Sequence, residues 1–188
     1  MPNQPYIVGI GGGTCSGKST LAHNLEQALS AQYKVAVLHM DNYYKWSAMR
    51  SIAPITRVEY PEHNHPNAVD MERLQIELAE VLSDKNTDIV LVEGLFALYF
   101  ESIRARLDIK IFMDLPSDER MYRRIKRTMD NEPVENIANR YLDTVRYRHD
   151  EFVEPTRWYA DLVLNGGINQ GTDVLAAYIP LQLRQRSI

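Results

Sequence analysis

The segment Gly12-Gly13-Thr14-Cys15-Ser16-Gly17-Lys18-Ser19 satisfies G-x-x-x-x-G-K-[ST] at every fixed position. It follows the apolar run Tyr6-Ile7-Val8-Gly9-Ile10 and precedes Leu21-Ala22-His23-Asn24-Leu25. A strand, a glycine-rich turn and a helix in that order make a cradle for phosphate. The glycines let the backbone turn tightly round oxygen atoms, the helix N-terminus aims N–H groups at them, and the lysine adds a full positive charge. The pattern predicts a nucleoside-triphosphate site built from Gly12, Gly13, Thr14, Cys15, Ser16, Gly17, Lys18, Ser19 and Thr20, with the Ser19 hydroxyl on Mg²⁺.

The rest of the sequence suits such a site. With 188 residues, 45% of them apolar, the chain closes one well-buried core and is too short for two ordinary domains. A net charge of −4 argues against general affinity for nucleic acid or anionic membrane, both of which reward a basic surface. No apolar run reaches spanning length and no signal sequence stands at the N-terminus, so the expected location is cytoplasmic. The lone cysteine, Cys15, fits a reducing compartment and reads as a small side chain filling a tight loop rather than as a reactive thiol.

Strand-like runs at Ile7 to Ile10, Val35 to His39, Ile89 to Val92, Ile109 to Met113 and Leu162 to Leu164 alternate with helical stretches. The latter are expected at Ser19 to Gln32, Ala68 to Ser83, Asp118 to Met129, Val134 to Phe152 and Gly171 to Leu181. This alternation predicts an α/β fold with a parallel β-sheet flanked by helices. Tyr43 to Pro66, with three prolines and two histidines, reads as a long functional loop holding at most a short helix.

In a parallel sheet, ligands gather at the carboxyl ends of the strands. That rule selects two acids. Asp41 follows Val35-Ala36-Val37-Leu38-His39-Met40, on a strand expected to neighbour the phosphate loop, where it could take the proton of an acceptor hydroxyl; the competing reading is a helix N-cap. Glu93 ends Val90-Leu91-Val92 and is placed to hold the metal ion with Ser19. Between Asp118 and Asp130, Arg120, Arg123, Arg124 and Arg127 fall within an arc of roughly 100° on a helix, with Met121, Ile125 and Met129 on another side. A solvated basic face is the common meaning of such a stripe. Beside a phosphate site it reads instead as a mobile lid, around residues 117–140 of a single domain spanning 1–188. There Arg123 would grip the nucleotide, and Arg124 and Arg127 would steady the charge that shifts during transfer.

The run Gly12 to Thr20, Asp41-Asn42-Tyr43-Tyr44, His65-Pro66-Asn67-Ala68-Val69-Asp70, Val92-Glu93-Gly94, Arg123-Arg124-Ile125-Lys126-Arg127 and Glu151-Phe152-Val153-Glu154-Pro155-Thr156, continuing to Asp161, together resemble the uridine kinase family in order and approximate spacing. The resemblance implies a P-loop nucleoside-triphosphate hydrolase fold of the nucleoside-monophosphate-kinase-like type. It also implies ATP as donor with GTP as the alternative, Mg²⁺, and transfer of the γ-phosphoryl group to a nucleoside 5′-hydroxyl. By motif position Asp41 is the acceptor-side acid, Tyr44 matches the family tyrosine and Asn64 stands where the family places a ribose-diol ligand; Lys18, Arg124 and Arg127 are expected to be catalytic with Asp41, and His65 is expected on the acceptor from its loop alone. Tyr43, Trp46, Tyr60 and His63 are further groups of the same loop that could meet a base.

Three departures stand out. The stretch between Asp70 and Val92 reads as helix, without the base-reading β-hairpin that the family usually carries there. Asn64 replaces the family's aspartate before His-Pro. Met129-Asp130-Asn131-Glu132-Pro133 replaces an Arg-Gly-Arg lid segment, and Arg140 stands where the family tends to place glutamine. A chain without the hairpin also resembles the nicotinamide riboside kinases, through Asp41-Asn42-Tyr43-Tyr44 and Ala68-Val69-Asp70-Met71-Glu72. A nucleotide-binding regulator without phosphotransfer is the reading from a different class. The expected partner is a small nucleoside or related hydroxyl compound, with no nucleic acid and no membrane, and a homo-oligomer left open.

Overall fold

The computed structural model describes residues 4–45, 49–167 and 170–186. Five strands, β1 (Tyr6–Gly12), β2 (Val35–His39), β5 (Ile89–Glu93), β6 (Ile109–Asp114) and β7 (Leu162–Asn165), form one sheet in the order β2-β5-β1-β6-β7. Every pairing in it is parallel. Parallel strands need crossovers, and the helices that make them cover both faces. On one face Val8, Ile10, Leu91 and Ile111 meet Leu21, Leu25 and Leu29 of α1 (Lys18–Leu29) and Leu175, Ile179 and Leu183 of α7 (Gln170–Arg186). On the other, Ile7, Val90, Val92 and Phe112 meet Leu74 and Leu78 of α2 (Met71–Ser83), Ile103 of α3 (Glu101–Arg104) and Val153. Alternate residues of one strand thus feed two cores, which is why Ile89 to Val92 is apolar without interruption. Each fully buried leucine in these layers contributes about 1.5–3 kcal/mol.

The strand and helix positions read from the sequence agree with this architecture, with four corrections. The strand β2 does not adjoin the phosphate loop, because β5 lies between it and β1; strand order in a crossover sheet does not follow chain order. The stretch from Tyr43 to Pro66 is more than a loop: β3 (Arg50–Ile52) and β4 (Glu59–Pro61) pair as an antiparallel hairpin, flanked by 3₁₀ turns at Met40–Tyr43 and Pro66–Ala68. The helix expected from Val134 runs as α5 (Val134–Arg140), a π-helical turn at Tyr141–Val145, α6 (Arg146–Arg148) and a second π turn at His149–Val153. Finally, α7 continues through Pro180 to Arg186. There the burial of Ile179 and Leu183 outweighs the missing N–H of the proline.

Among the described residues no helix is long and apolar enough to cross a membrane. All five sheet strands point the same way, so their carboxyl ends share one edge. The phosphate loop, Asp41 and Glu93 are carried there, together with α4 (Ser117–Thr128), which follows β6.

Candidate active site

The turn between β1 and α1 is shaped by its backbone. Gly17 sits at the helix N-cap with φ of 99°, and Cys15 takes φ of 58°. The first value suits glycine, which has no Cβ to clash. Lys18, only 8% exposed, folds back so that Nζ donates to the Gly13 carbonyl at 2.8 Å. Burial lowers its pKa, and the carboxylates of Glu93 and Asp41 oppose that shift. The loop after β7 rests directly on this turn: a Cβ on Gly166 would stand 1.8 Å from the Ser16 carbonyl oxygen. Gly166→Ala is therefore expected to push the two loops apart, destabilising the fold by about 1–3 kcal/mol and raising KM for the nucleotide. Thermal unfolding and a nucleotide titration check both.

Glu93, 3% exposed, accepts from the Ser19 hydroxyl at 3.0 Å and from His39 Nδ1 at 2.8 Å, both on Oε1. A hydroxyl and a carboxylate oxygen side by side, opening on the cleft, are a donor set suited to Mg²⁺. That ion usually takes one or two protein oxygens and completes its shell with water and phosphate. Among the described residues no three histidine, cysteine or acidic side chains are arranged to hold a metal ion together, so a cation here would depend on ligand oxygens. Asp41 lies in the 3₁₀ turn after β2, whose N-cap is His39; the cap reading for Asp41 does not hold. Its carboxylate opens on the cleft, yet the surrounding protein raises its pKa by desolvation, against the pull of Lys18.

The arginine stripe faces the phosphate loop rather than solvent. Arg120 is 4% exposed, with Nε donating to the Leu115 carbonyl at 2.9 Å, and its guanidinium is wedged beneath Gly13. The sequence had grouped it with the lid cations, but the centre of the stripe is the face that packs inward. Arg124 donates to Thr14 Oγ1 at 3.1 Å and Arg123 to the Gly166 carbonyl at 3.0 Å. Burial lowers the pKa of Arg124, with Arg140 and Arg127 adding repulsion. Arg140 is tied to Glu132 at 2.5 Å. On the opposite side Met129 is half exposed.

A cleft of about 660 Å³ brings these groups together. Thr14, Cys15, Gly17, Lys18, Ser19 and Thr20 form one wall, Arg123, Arg124 and Arg127 another, and Asp41, Asn42, Tyr44, His63, Asn64, Glu93 and Leu95 the third. Of the loop residues proposed to meet an acceptor, Tyr44, Asn64 and His63 line it; His65 does not. Its Nδ1 accepts from the Asn67 N–H at 3.1 Å and its ring packs edge-on against Phe152, so it caps a turn. Tyr43 is buried in the core and Tyr60 donates to Asp143. Trp46 lies outside the described residues.

Glu62 escaped the sequence reading. It is 2% exposed; Oε1 accepts from the Asn64 N–H at 2.7 Å, and Oε2 from Arg148 Nε at 3.0 Å. Arg148 also binds Glu151 at 2.7 Å. The hairpin is held to the same helix where Thr56 and Tyr60 both donate to Asp143. Glu62→Ala is expected to destabilise the fold by about 3 kcal/mol, lowering Tm by about 6–12 °C at this chain length. Arg148→Met should cost at least as much, because it leaves the Glu62 carboxylate buried without its counter-charge, whereas Arg148 in Glu62→Ala is partly exposed and keeps Glu151.

With this geometry in view, the comparisons are consistent. The sequence profile of the phosphoribulokinase/uridine kinase family matches residues 76–173. The chain is 30% identical to a uridine kinase of Lactobacillus helveticus, over 97% of both chains, and 32% identical to one of Clostridium tetani, over 100% of both. Phosphoribulokinase from Rhodobacter spheroides superposes with a TM-score of 0.62 at 13% identity, over 90% of this chain and 74% of that one, a likeness of fold. The phosphate loop, the parallel sheet and these relatives agree: the chain belongs to the phosphoribulokinase/uridine kinase family and is a P-loop kinase.

Proposed function

We propose that the protein transfers the γ-phosphoryl group of ATP to a hydroxyl of a small metabolite, the 5′-hydroxyl of a pyrimidine nucleoside being the preferred acceptor. One observation carries the reading: Asp41, Lys18 and the Ser19–Glu93 pair open on a single cleft that continues to Tyr44 and Asn64. Phosphoryl transfer asks mainly for alignment and charge stabilisation. Asp41 orients the acceptor hydroxyl and takes its proton. Lys18 and the loop N–H groups hold the phosphates, while Arg124 and Arg127 neutralise charge that builds on the leaving oxygen. Ser19 and Glu93 would hold magnesium, whose charge would further neutralise the phosphates when bound. Helices α4 and α5 act as the lid, around 117–140, whose closure keeps water from competing with the acceptor. A side cavity of about 210 Å³ between Thr20, Arg123, Gly167 and Thr172 would receive the donor's base.

Charge favours a neutral acceptor. Four cations line the cleft against two carboxylates, an excess that a nucleoside triphosphate with its magnesium offsets. Beyond the carboxylates of Asp41 and Glu93, the wall of Asn42, Tyr44, His63, Asn64 and Leu95 offers hydrogen bonds and aromatic faces but no lysine or arginine. A phosphosugar, as the name phosphoribulokinase implies, would find no cation there. The alternative acceptor is nicotinamide riboside, favoured by the uninterrupted helix α2 where a base-reading hairpin would stand. A cytoplasmic setting suits an enzyme that consumes ATP.

An acceptor screen followed by ADP release tests the proposal. Release dependent on uridine or cytidine is the expected result. No dependence on any pyrimidine nucleoside, with turnover on nicotinamide riboside or another hydroxyl metabolite, would contradict it.

A further inference from the structure

Behind the cleft, where the phosphate loop meets the acceptor loop and the π-helical segment, lies a cavity of about 10 Å³ lined by Thr14, Asn64, Leu95, Val145, His149 and Val153. Space of that size admits one water-sized group. Thr14, Asn64 and Leu95 line the main cleft as well, so the cavity adjoins the acceptor's place. Among the described residues His149 is its only ionisable wall, 8% exposed. The ring's Nδ1 is buried with no protein partner, while Nε2 lies 3.3 Å from Glu154 Oε2.

Which nitrogen carries the proton follows from the surroundings. Burial, with Arg120 and Lys18 nearby, lowers the His149 pKa to about 3, and the partly exposed Glu154 carboxylate is too well solvated to reverse this. A neutral imidazole has one donor and one acceptor. A carboxylate only accepts, so the proton sits on Nε2 and Nδ1 presents a lone pair. The neighbouring walls complete a binding set: Thr14 Oγ1 accepts from Arg124, leaving its own hydrogen only the soft Cys15 sulfur at 3.8 Å, and Asn64 brings an amide. A group placed between them can donate to His149 and accept from Thr14 or Asn64.

We propose that this cavity is a seat for one O–H group, either a fixed water or a hydroxyl of the acceptor, which donates to His149 Nδ1 and joins the phosphate loop at Thr14 to the acceptor loop at Asn64. Resting on the function proposed above, this makes His149 a positioning residue for the acceptor, acting on the hydroxyl side of the reaction and not on the nucleotide. The site asks for a hydrogen-bond donor of hydroxyl size and excludes a methyl group, which would leave the lone pair buried and unpaired.

The test uses His149→Phe, which keeps an aromatic ring and removes the lone pair, and His149→Gln, which returns an acceptor oxygen. Kinetics on the full chain with its best acceptor should show KM for that acceptor raised about tenfold in His149→Phe, KM for ATP unchanged, and a partial recovery in His149→Gln. An acceptor KM that stays at the wild-type value in His149→Phe overturns the proposal. Deoxy acceptors separate the two sources. If one deoxy analogue loses affinity in the wild type and nothing further in His149→Phe, the substrate hydroxyl is the guest. If the variant loses equally on every acceptor, the guest is water.

Should His149→Phe fail to fold, a high-resolution crystal structure of the wild type decides. A water or ligand oxygen within hydrogen-bond distance of Nδ1 supports the site, and Nδ1 turned to a protein donor or an empty cavity overturns it. A wild-type enzyme inert on every acceptor would instead strike the proposed function, leaving the crystal structure to decide the cavity.

Discussion

Asp41→Asn is expected to lower kcat by about 10²–10⁴-fold with little change in nucleotide affinity, because in the proposed reaction the side chain serves the acceptor hydroxyl rather than the phosphates. Asparagine fills the same space and keeps a carbonyl for orientation, but it cannot take a proton. Stability should move the other way. Desolvation raises the Asp41 pKa above its ordinary value, with Lys18 drawing it back only in part. A carboxylate whose folded pKa is raised is penalised in its ionised form. That cost is absent at low pH, appears as pH climbs past the unfolded value, and is complete above the folded one. At neutral pH the asparagine variant should therefore unfold at the wild-type temperature or slightly above it. The catalytic pH profile should show an acid limb set by the raised pKa, and that limb should vanish in the variant's residual activity. Steady-state kinetics and thermal unfolding on the same preparations check all three statements.

Lys18→Ala is expected to give the second large loss, about 10²–10³-fold in kcat, accompanied by weaker nucleotide binding. This combination distinguishes it from Asp41→Asn. Among the described residues its ammonium group is the only lysine charge lining the cleft, and it is held against the Gly13 carbonyl. Burial lowers its pKa, so the protonated form is disfavoured by folding at every pH below the folded pKa, and the cost fades as pH rises through that value. Removing the side chain relieves this cost but leaves a gap beneath the loop. Lys18→Met, which keeps most of the volume, should be at least as stable as the wild type while remaining inactive. A stable, folded Lys18→Met enzyme with near wild-type turnover would contradict the role given to the charge.

Much of this molecule was readable in the chain because the informative residues are close together in sequence. The strand, the loop and the start of α1 are contiguous, and Val35 to His39 and Ile89 to Glu93 carry their β-signal and terminal acids within a few residues. What escaped depends on distant pairings. Three-residue strands containing Ser51 and Pro61 give no periodic signal, and the anchoring of their hairpin to Asp143 lies 83 positions from Tyr60. Glu62 carries no local signal, because the Arg148 that holds it lies 86 residues later. Arg120 shared its spacing with Arg123, Arg124 and Arg127, and periodicity shows which residues share a face without saying what covers that face. His65 adjoins a proline in a recognisable motif, yet its work as a turn cap has no propensity signal, since Ser, Thr, Asp and Asn are the usual caps.

The arrangement at the cleft also explains a division of labour. Residues on α4 reach the phosphate loop through the Arg124 bond to Thr14 and the packing of Arg120 against Gly13, and the next helical segment reaches the 59–64 segment through Arg148 and Asp143. Donor and acceptor walls are thus tied to one continuous stretch of chain. In the proposed reaction, lid closure over the nucleotide would draw on the same elements that frame the acceptor.

The most direct test follows the label from [γ-³²P]ATP in the presence of magnesium and uridine. The account predicts radioactivity on the 5′-hydroxyl of the nucleoside, in step with ADP release, and its loss in Asp41→Asn under conditions where the variant still binds ATP. Label recovered only as inorganic phosphate, or transfer to uridine undiminished in Asp41→Asn, would contradict it.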